Sequence, residues 1–464
     1  MSSRQKNKGA ELSYIEILKI AKDKSKNVHF VGIGGVSMYS LARLTMLLGA
    51  TVSGSDRAEN SRTLDLSMLG ADIYIGHRAE NAYGATLLVF SHAIPNDNPE
   101  ILYAESNGIS TVSRAEYLGA LMLEYRDRIG VSGSHGKSTT VAILDGIFGL
   151  AKANPTTLCG ADLPSGSPIN PGSSDVMIYE SCEYKDSFLR FSPTVSVGLN
   201  LELDHTDYFP DIDALKASFA KALGRAELFS LINGDDENLR EIKDKINCPI
   251  ITFGSRENND YRYFITSFSD EGFEFSLSHR GEEMGVFRLN IPGAFNVHNA
   301  TAAIAVALEF GIDKEIIAEA IKNYHGISGR LEYIGSRYGR PVYYDYAHHP
   351  TEISASINAL KLLTEAPLTV VFKPHTFSRT KALWQDFCSS LSLADFPVIT
   401  DIYPAREKPI SGITSSRLAK DIGGSAIYCP DDEITKIIDR QTEGAIVLMG
   451  AGDFEKIKFG ILNC

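Results

Sequence analysis

Cysteine is scarce: six residues in 464 (159, 182, 248, 388, 429 and 464), and no two of them stand in CxxC spacing. That excludes a disulfide frame and a cysteine zinc site, and it fits a reducing compartment. Positive charge is in deficit, with 45 Lys+Arg against 58 Asp+Glu and a net charge of −13. Such a balance argues against nucleic acid and against an anionic membrane surface, while a local basic pocket for a nucleotide remains open. No apolar run reaches the roughly 18 residues of a membrane span. The opening Met-Ser-Ser-Arg-Gln-Lys-Asn-Lys-Gly has no apolar core of the signal-peptide kind. Short-period repeats and low-complexity segments are missing too. A cytoplasmic protein of small-molecule chemistry is expected.

What is present is globular: 44% apolar and 22% charged residues. The length predicts two to four domains. The most informative stretch is Gly130-Val-Ser-Gly-Ser-His-Gly-Lys-Ser-Thr-Thr140, between a strand-like approach and an apolar helical run over 141–150. A glycine-rich turn between strand and helix aims backbone N–H groups and the positive end of the helix at one spot, which suits a polyphosphate. Lys137 is placed to reach β/γ-phosphates and the Ser138 hydroxyl to hold Mg²⁺. Val131 stands where the usual P-loop template has glycine, so the loop is a variant.

Upstream, an apolar strand over 27–31 leads into Gly32-Ile-Gly-Gly-Val-Ser37 and a helix carrying Leu41, Leu44 and Leu48 on one face. A second strand ends at Asp56, 24 residues after Gly32, close to the spacing of a dinucleotide-binding βαβ unit. Further strands read at 72–75 and 87–91. The fingerprint alone suits NAD or another diphosphate such as a UDP-sugar, and a plain packing turn competes with both.

In the middle of the chain, apolar runs at 176–180 and 194–200 predict buried parallel strands. Glu180 and Glu183 follow the first of them, and Asn200-Leu-Glu-Leu-Asp-His205 ends the second. Carboxylates at strand ends beside a P-loop suit nucleotide-bound Mg²⁺. Residues 260–290 alternate in short aromatic runs, which predicts an antiparallel addition, with a helix after it at about 298–310. Asn296 and Asn299 share a face if that helix starts at them, although Asn296 also reads as a helix cap. The pattern restarts near 326–329, with strands at 342–345, 368–372, 396–400 and 445–449. Arg330 stands at this entrance, Asp345 at a strand end, and Lys373-Pro-His-Thr-Phe-Ser-Arg379 brings basic groups that suit a carboxylate or phosphate. For His348, His349, His375 and Arg379, structural and functional roles compete evenly.

In order along the chain stand His29-Phe-Val-Gly-Ile-Gly-Gly-Val-Ser-Met38, Gly54-Ser-Asp56, Ser91-His-Ala-Ile94 and Gly133-Ser-His-Gly-Lys-Ser-Thr-Thr140. Glu180-Ser-Cys-Glu-Tyr184, Asn200–His205, Asn296-Val-His-Asn299, Gly329-Arg330, Asp345-Tyr-Ala-His-His-Pro350 and Pro374-His-Thr-Phe-Ser-Arg-Thr380 follow. This ordered set resembles the Mur ligase family over nearly the whole chain, from about residue 28. The resemblance implies an α/β fold of three domains after a peripheral segment, 1–25. These are a Rossmann-like domain for a UDP-sugar (26–125), a central P-loop ATPase-type domain with a small antiparallel add-on (126–327), and a Rossmann-like C-terminal domain (328–464).

It also implies roles. Lys137, Glu183 and His205 would be catalytic, with Ser138, Glu183 and His205 holding Mg²⁺. Gly133, Ser134, His135, Gly136, Lys137, Ser138, Thr139, Asn296, Asn299, Arg330 and Asp345 would bind ATP. Gly32, Gly34, Gly35, Val36, Ser37, Asp56, His77 and Ser91 would hold the UDP-sugar. Tyr346, His349, His375 and Arg379 would line an amino-acid site, with Arg379 on the carboxylate.

The implied reaction is ATP-dependent joining of L-alanine to the carboxylate of UDP-N-acetylmuramate through an acyl phosphate, in peptidoglycan precursor synthesis, by a monomer or weak dimer. A relative attaching a preformed murein peptide to the same nucleotide sugar shares almost every motif. An NAD-dependent oxidoreductase leaves the P-loop and third domain unexplained, and a non-catalytic nucleotide-gated binder has no need of Lys137, Glu183 and His205 together. Two departures from the family pattern stand out: Ser37 replaces a glycine, and Thr376 stands where many members carry arginine. Relatives that add later residues often use a carbamylated lysine near the metals; no lysine is assigned that role here, although Lys216 and Lys221 lie downstream of His205.

Overall fold

Strands packed on both faces by helices require nearly continuous apolar runs, and three sets of such runs build three sheets. The computed structural model describes residues 12–462 apart from positions 207, 270, 271, 406, 442 and 453. The first sheet is wholly parallel, in the spatial order Asp72–Ile75, Thr51–Asp56, Asn27–Val31, Leu87–Phe90, Ser110–Ser113. Chain direction away from the middle reverses between Asn27–Val31 and Leu87–Phe90, and a doubly wound sheet opens its ligand crevice at that switch. The Gly32–Ser37 turn follows one of these strands and Ser91 the other. The short polar strand Ser110–Ser113 was not among those expected from the sequence.

The segment expected to be peripheral contributes to the core from residue 12 on. Ser13 caps the helix Tyr14–Ala21, and Ile17 and Ala21 are fully buried against the first domain. Tyr14 packs beside Gly119 and donates its hydroxyl proton to the Arg190 carbonyl, 3.0 Å away, so this helix ties the first domain to the second. The remainder, residues 1–11, lies outside the described residues.

The central sheet has ten strands. Seven run parallel: Tyr261–Ser269, Ile250–Gly254, Phe229–Asn233, Val195–Gly198, Asp127–Ser132, Val176–Glu180 and Thr156–Leu158, in that spatial order, and the short Ile169–Asn170 closes the far edge antiparallel. The expected antiparallel addition is the meander Tyr261–Ser269, Gly272–His279, Glu282–Leu289. Its middle strand buries Phe273, Phe275 and Leu277 and turns Glu274, Ser276 and Ser278 outward, the period-two pattern of a one-sided sheet.

The third sheet runs Glu332–Arg337, Arg340–Asp345, Ala445–Met449, Leu368–Phe372, Phe396–Ile399, Ile427–Tyr428, parallel except for its first pair. That first pair is a hairpin turned by Tyr338 and Gly339, both at positive φ. The architecture is therefore α/β in three domains, as expected. Among the described residues no helix is long and apolar enough to cross a membrane.

Candidate active site

The P-loop leaves the strand Asp127–Ser132 and enters the helix Lys137–Leu150. Gly136 is the N-cap residue in the left-handed region (φ 85°), so its N–H and those of the first helical turn face the same side. A Cβ at Gly136 would run into the Asn299 side chain. The loop is clamped from the neighbouring strand end. Asn200 accepts from the His135 backbone N–H (2.8 Å) and donates to the His135 carbonyl (3.0 Å). The Ser134 hydroxyl donates to the Glu202 carbonyl and accepts its N–H, both at 2.9 Å. Asn200 thus shapes the phosphate loop, a role its sequence position did not disclose.

Lys137 folds back over this loop to the Gly133 carbonyl and lies 3.3 Å from both carboxylate oxygens of Glu183. Burial pulls its ammonium pKa down most strongly, but Glu183, Cys182 and Glu180 together outweigh burial and the net shift is upward, so Lys137 stays charged. His205, at φ 53°, brings Nε2 to 3.7 Å from Glu183 Oε1, and its ring packs on Tyr184 at 4.7 Å. Lys137, Glu183 and His205 are therefore one cluster, with buried Ser138 in the adjoining helical turn. Glu180 stands apart from it: its Oε1 accepts from the Gly160 N–H (2.5 Å) and from the Cys159 thiol (3.5 Å), fixing a loop instead of a metal.

A cavity of about 460 Å³ opens between the central and C-terminal domains. His135, Gly136, Thr139, Asn296, Asn299, Arg330 and Asp345 line it, seven of the residues expected to hold ATP. Gly293, not Asn296, is the N-cap of the helix Ala294–Glu309. Asn296 donates back to the Pro292 carbonyl (2.7 Å) and accepts from Asn299 Nδ2 (3.3 Å), so the two amides do share a face. Burial pushes the Asp345 carboxyl up to about 6 against the hydrogen bond from Ser356 and the charge of Arg330. Arg330 lies over the Tyr346 ring, 5.2 Å from its centroid.

A second cavity, about 930 Å³, sits at the switch point of the first sheet. Gly32, Gly34, Gly35, Val36, Ser37, Asp56, His77 and Ser91 all line it. Ser37 is exposed there, so its side chain faces the cavity and does not wedge helix from strand. Asp56 Oδ2 accepts from the Gly34 N–H (2.9 Å) and pins the turn. Behind His77, buried Glu100 accepts from Ser55 (2.6 Å) and Asn81 (2.7 Å). Arg57, Asn60 and Arg114 also line this cavity and were missed by sequence reasoning, since single polar residues in loops carry no periodic signal.

The four residues expected around an amino acid do not gather at one spot. Arg379 and His375 stand together, Nη1 to Nδ1 at 3.2 Å, and Arg379 reaches Asp204 across the domain boundary. Tyr346 instead lines the cavity of the first domain. His349 lies against His135, ring centroids 4.9 Å apart, on the side of the nucleotide cavity. His348 packs between Tyr346 and His375. Burial lowers the pKa of both His348 and His375 to about 4, so both rings are neutral at neutral pH. Thr376 sits at φ 67°, a costly conformation for a β-branched residue, and its hydroxyl caps the helix Phe377–Ala382. Lys373 is no ligand-facing cation: it is buried and paired with Asp431. Lys216 pairs with Glu241 (2.6 Å), and Lys221 borders a separate hollow with Lys245, so neither joins the Glu183 cluster.

Comparisons with known proteins extend these findings over the chain. Three family models match in order: "Mur ligase family, catalytic domain" at 27–126, "Mur ligase middle domain" at 131–307, and "Mur ligase, glutamate ligase domain" at 329–452. A UDP-N-acetylmuramate–L-alanine ligase of Caldicellulosiruptor bescii is 40% identical over 92% of this chain and 96% of its own. The crystal structure of a UDP-N-acetylmuramate–alanine ligase from Thermotoga maritima superposes with a TM-score of 0.80 at 27% identity, covering 93% of this chain and 97% of that one. A murein peptide ligase from Psychrobacter arcticus shares the fold, with a TM-score of 0.72 at 24% identity over 93% and 97% of the two chains. With three matched domains in family order and a phosphate-loop lysine, acid and imidazole gathered in one cluster, the chain belongs to the Mur ligase family.

Proposed function

We propose that this protein is an ATP-dependent ligase that joins L-alanine to the carboxylate of UDP-N-acetylmuramate, releasing ADP and phosphate, in peptidoglycan precursor synthesis. The observation that carries this reading is the cluster of Lys137, Glu183 and His205 on a phosphate loop whose neighbouring residues His135, Gly136 and Thr139 line the cavity expected to hold ATP. The alanine-adding relative from Caldicellulosiruptor bescii supports the choice of substrates.

A carboxylate is a poor acyl donor until an oxygen leaves as phosphate. ATP phosphorylates it, and the amine of alanine then attacks the acyl phosphate, expelling phosphate from a tetrahedral adduct. Lys137 swings from the Gly133 carbonyl to the phosphates and stabilises charge as the phosphoryl group moves. The clamp of Asn200 on the loop keeps the backbone donors aimed. Neutral His348 and His375 flank the place where an amine approaches, and Arg379 is the cation available for the alanine carboxylate.

Mg²⁺ would be held chiefly by oxygens, the Glu183 carboxylate and the Ser138 hydroxyl in the first helical turn together with the nucleotide phosphates, with the His205 imidazole 3.7 Å from Glu183 as a single nitrogen donor at the edge. When bound there, Mg²⁺ neutralises phosphate charge. Tyr346, projecting from the C-terminal domain into the first domain's cavity, helps keep water from the acyl phosphate when the domains close.

The test is phosphate release from ATP with UDP-N-acetylmuramate present, adding L-alanine, glycine, L-serine or a murein tripeptide in turn. Release that needs both the nucleotide sugar and L-alanine supports the reading. Release only with the tripeptide replaces it with the peptide-attaching reaction, and no release with any acceptor removes the ligase reading.

A further inference from the structure

Beside the nucleotide cavity, and apart from the Lys137 cluster, three metal-ligating side chains meet across a domain boundary. His135 Nε2 lies 3.3 Å from Glu202 Oε2, and His349 Nδ1 lies 3.5 Å from the same oxygen. One donor atom from each residue falls within 4.8 Å of the other two. His349 is 6% exposed, and among the described residues neither of its ring nitrogens has a hydrogen-bond partner. A buried imidazole is normally satisfied on at least one nitrogen, so this ring is held ready for a ligand.

The spacing is informative. Four ligands at about 2.0–2.1 Å around a tetrahedral zinc ion stand roughly 3.4 Å from one another. The two Glu202 separations, 3.3 and 3.5 Å, bracket that value. The outer shell fits as well. His135 Nδ1 lies 3.1 Å from Glu352 Oε1, a carboxylate that accepts the Nδ1–H and fixes the ring with Nε2 towards Glu202, where a bound ion would replace the Nε2 proton. Two imidazoles and one carboxylate select a borderline transition ion, since Mg²⁺ and Ca²⁺ prefer all-oxygen shells.

We propose that His135, Glu202 and His349 form a binding site for Zn²⁺ or a similar divalent transition ion, with water in the fourth position. Two ligands come from the central domain and one from the C-terminal domain, so the ion staples the two in the arrangement that brings these side chains together. Because His135 and Glu202 also line the nucleotide cavity, occupancy there is coupled to the nucleotide.

The experiment uses the full-length, nucleotide-free protein stripped with a chelator. Zn²⁺ is titrated in competition with a chromophoric chelator, and Co²⁺ is used as a visible-absorption probe. Wild type is expected to take up one tight equivalent of Zn²⁺ and to give Co²⁺ the intense bands of a tetrahedral nitrogen–oxygen site. His349→Ala and Glu202→Gln should each weaken Zn²⁺ binding by at least tenfold, Glu202→Gln preserving shape should the larger truncation unfold the domain. Glu352→Gln should weaken it by about tenfold through the His135 tautomer. His205→Ala should leave it unchanged. Wild-type affinity in His349→Ala and Glu202→Gln would overturn the proposal. So would a tight site lost in His205→Ala alone, which would put the ion in the Glu183 cluster.

Discussion

Arg379 reaches from the C-terminal domain to Asp204 of the central domain, with Nη2 at 3.0 Å and Nε at 3.3 Å from the same carboxylate oxygen. Burial would raise the Asp204 pKa, but the Arg379 guanidinium, His205, His348 and the His205 backbone N–H together outweigh burial and hold the carboxyl well below the usual carboxylate range. Asp204 thus occupies the cation that the proposed reaction needs for the alanine carboxylate. Arg379→Ala is expected to cut kcat/KM for L-alanine by at least ~100-fold, the roughly 3 kcal/mol of a buried, hydrogen-bonded charge pair. KM for ATP should stay near wild type in the same steady-state assay. An unchanged KM for alanine would remove Arg379 from the amino-acid site.

Lys137 touches the P-loop and Glu183 but is not among the residues lining the first domain's cavity. Lys137→Ala is therefore expected to lower kcat by about 1000-fold or more while leaving UDP-N-acetylmuramate affinity nearly unchanged. Single-turnover phosphate release and calorimetric binding measure the two separately.

Gly136 combines a left-handed backbone with the Asn299 side chain packed against its α-carbon. Gly136→Ala adds about 1–2 kcal/mol of backbone strain and a collision, so ATP affinity should fall by roughly tenfold or more. Equilibrium binding of a non-hydrolysable ATP analogue reads this directly.

Burial lowers the His135 pKa, but Glu352 and Glu202 together carry it up to about 9. A histidine raised above its unfolded value of about 6.5 stabilises the folded state fully below that pH. The contribution fades as pH rises through about 9. The melting temperature should therefore decline between pH 6.5 and 9 more steeply in wild type than in His135→Gln. Parallel melting curves over that range would show the histidine to be silent.

Asp345 behaves oppositely. Its carboxyl is buried and raised to about 6, so its ionised form costs stability above that pH. Asp345→Asn, which keeps the shape, should raise stability at pH 7.5 by on the order of 1–3 kcal/mol and weaken ATP binding. Denaturant unfolding and ATP titration together test this exchange of stability for function.

Chemistry concentrated in short motifs was legible from the sequence. The P-loop, the Gly32–Ser37 turn with Asp56, and the strand-end acid and imidazole are each dictated by local backbone requirements, and all eight residues assigned to the sugar nucleotide face one cavity. Apolar runs revealed most of the parallel strands for the same local reason. The strand Glu332–Arg337 escaped because it lies at a sheet edge with little apolar alternation, and its turn uses Tyr338 where Asn or Asp would have signalled a hairpin. The amino-acid set was the least legible. Which of Tyr346, His349, His375 and Arg379 share a space depends on how the C-terminal domain docks, and docking leaves no trace in the spacing of residues within one loop. Asp204 and Glu352 were overlooked as site residues for the same reason: their partners come from another domain.

The stretch from Asn200 to His205 serves four neighbours within six residues. Asn200 clamps the phosphate loop, Glu202 meets His135 and His349, Asp204 holds Arg379, and His205 joins Glu183. Such a segment tolerates exchange of one side chain far better than a change of length. Inserting or deleting a single residue would move every later side chain out of phase with a different partner at once. Natural variation among related enzymes should therefore appear here as substitutions at fixed length, and the gaps should fall at places such as the Arg280–Gly281 turn of the meander, where neither residue lines a cavity.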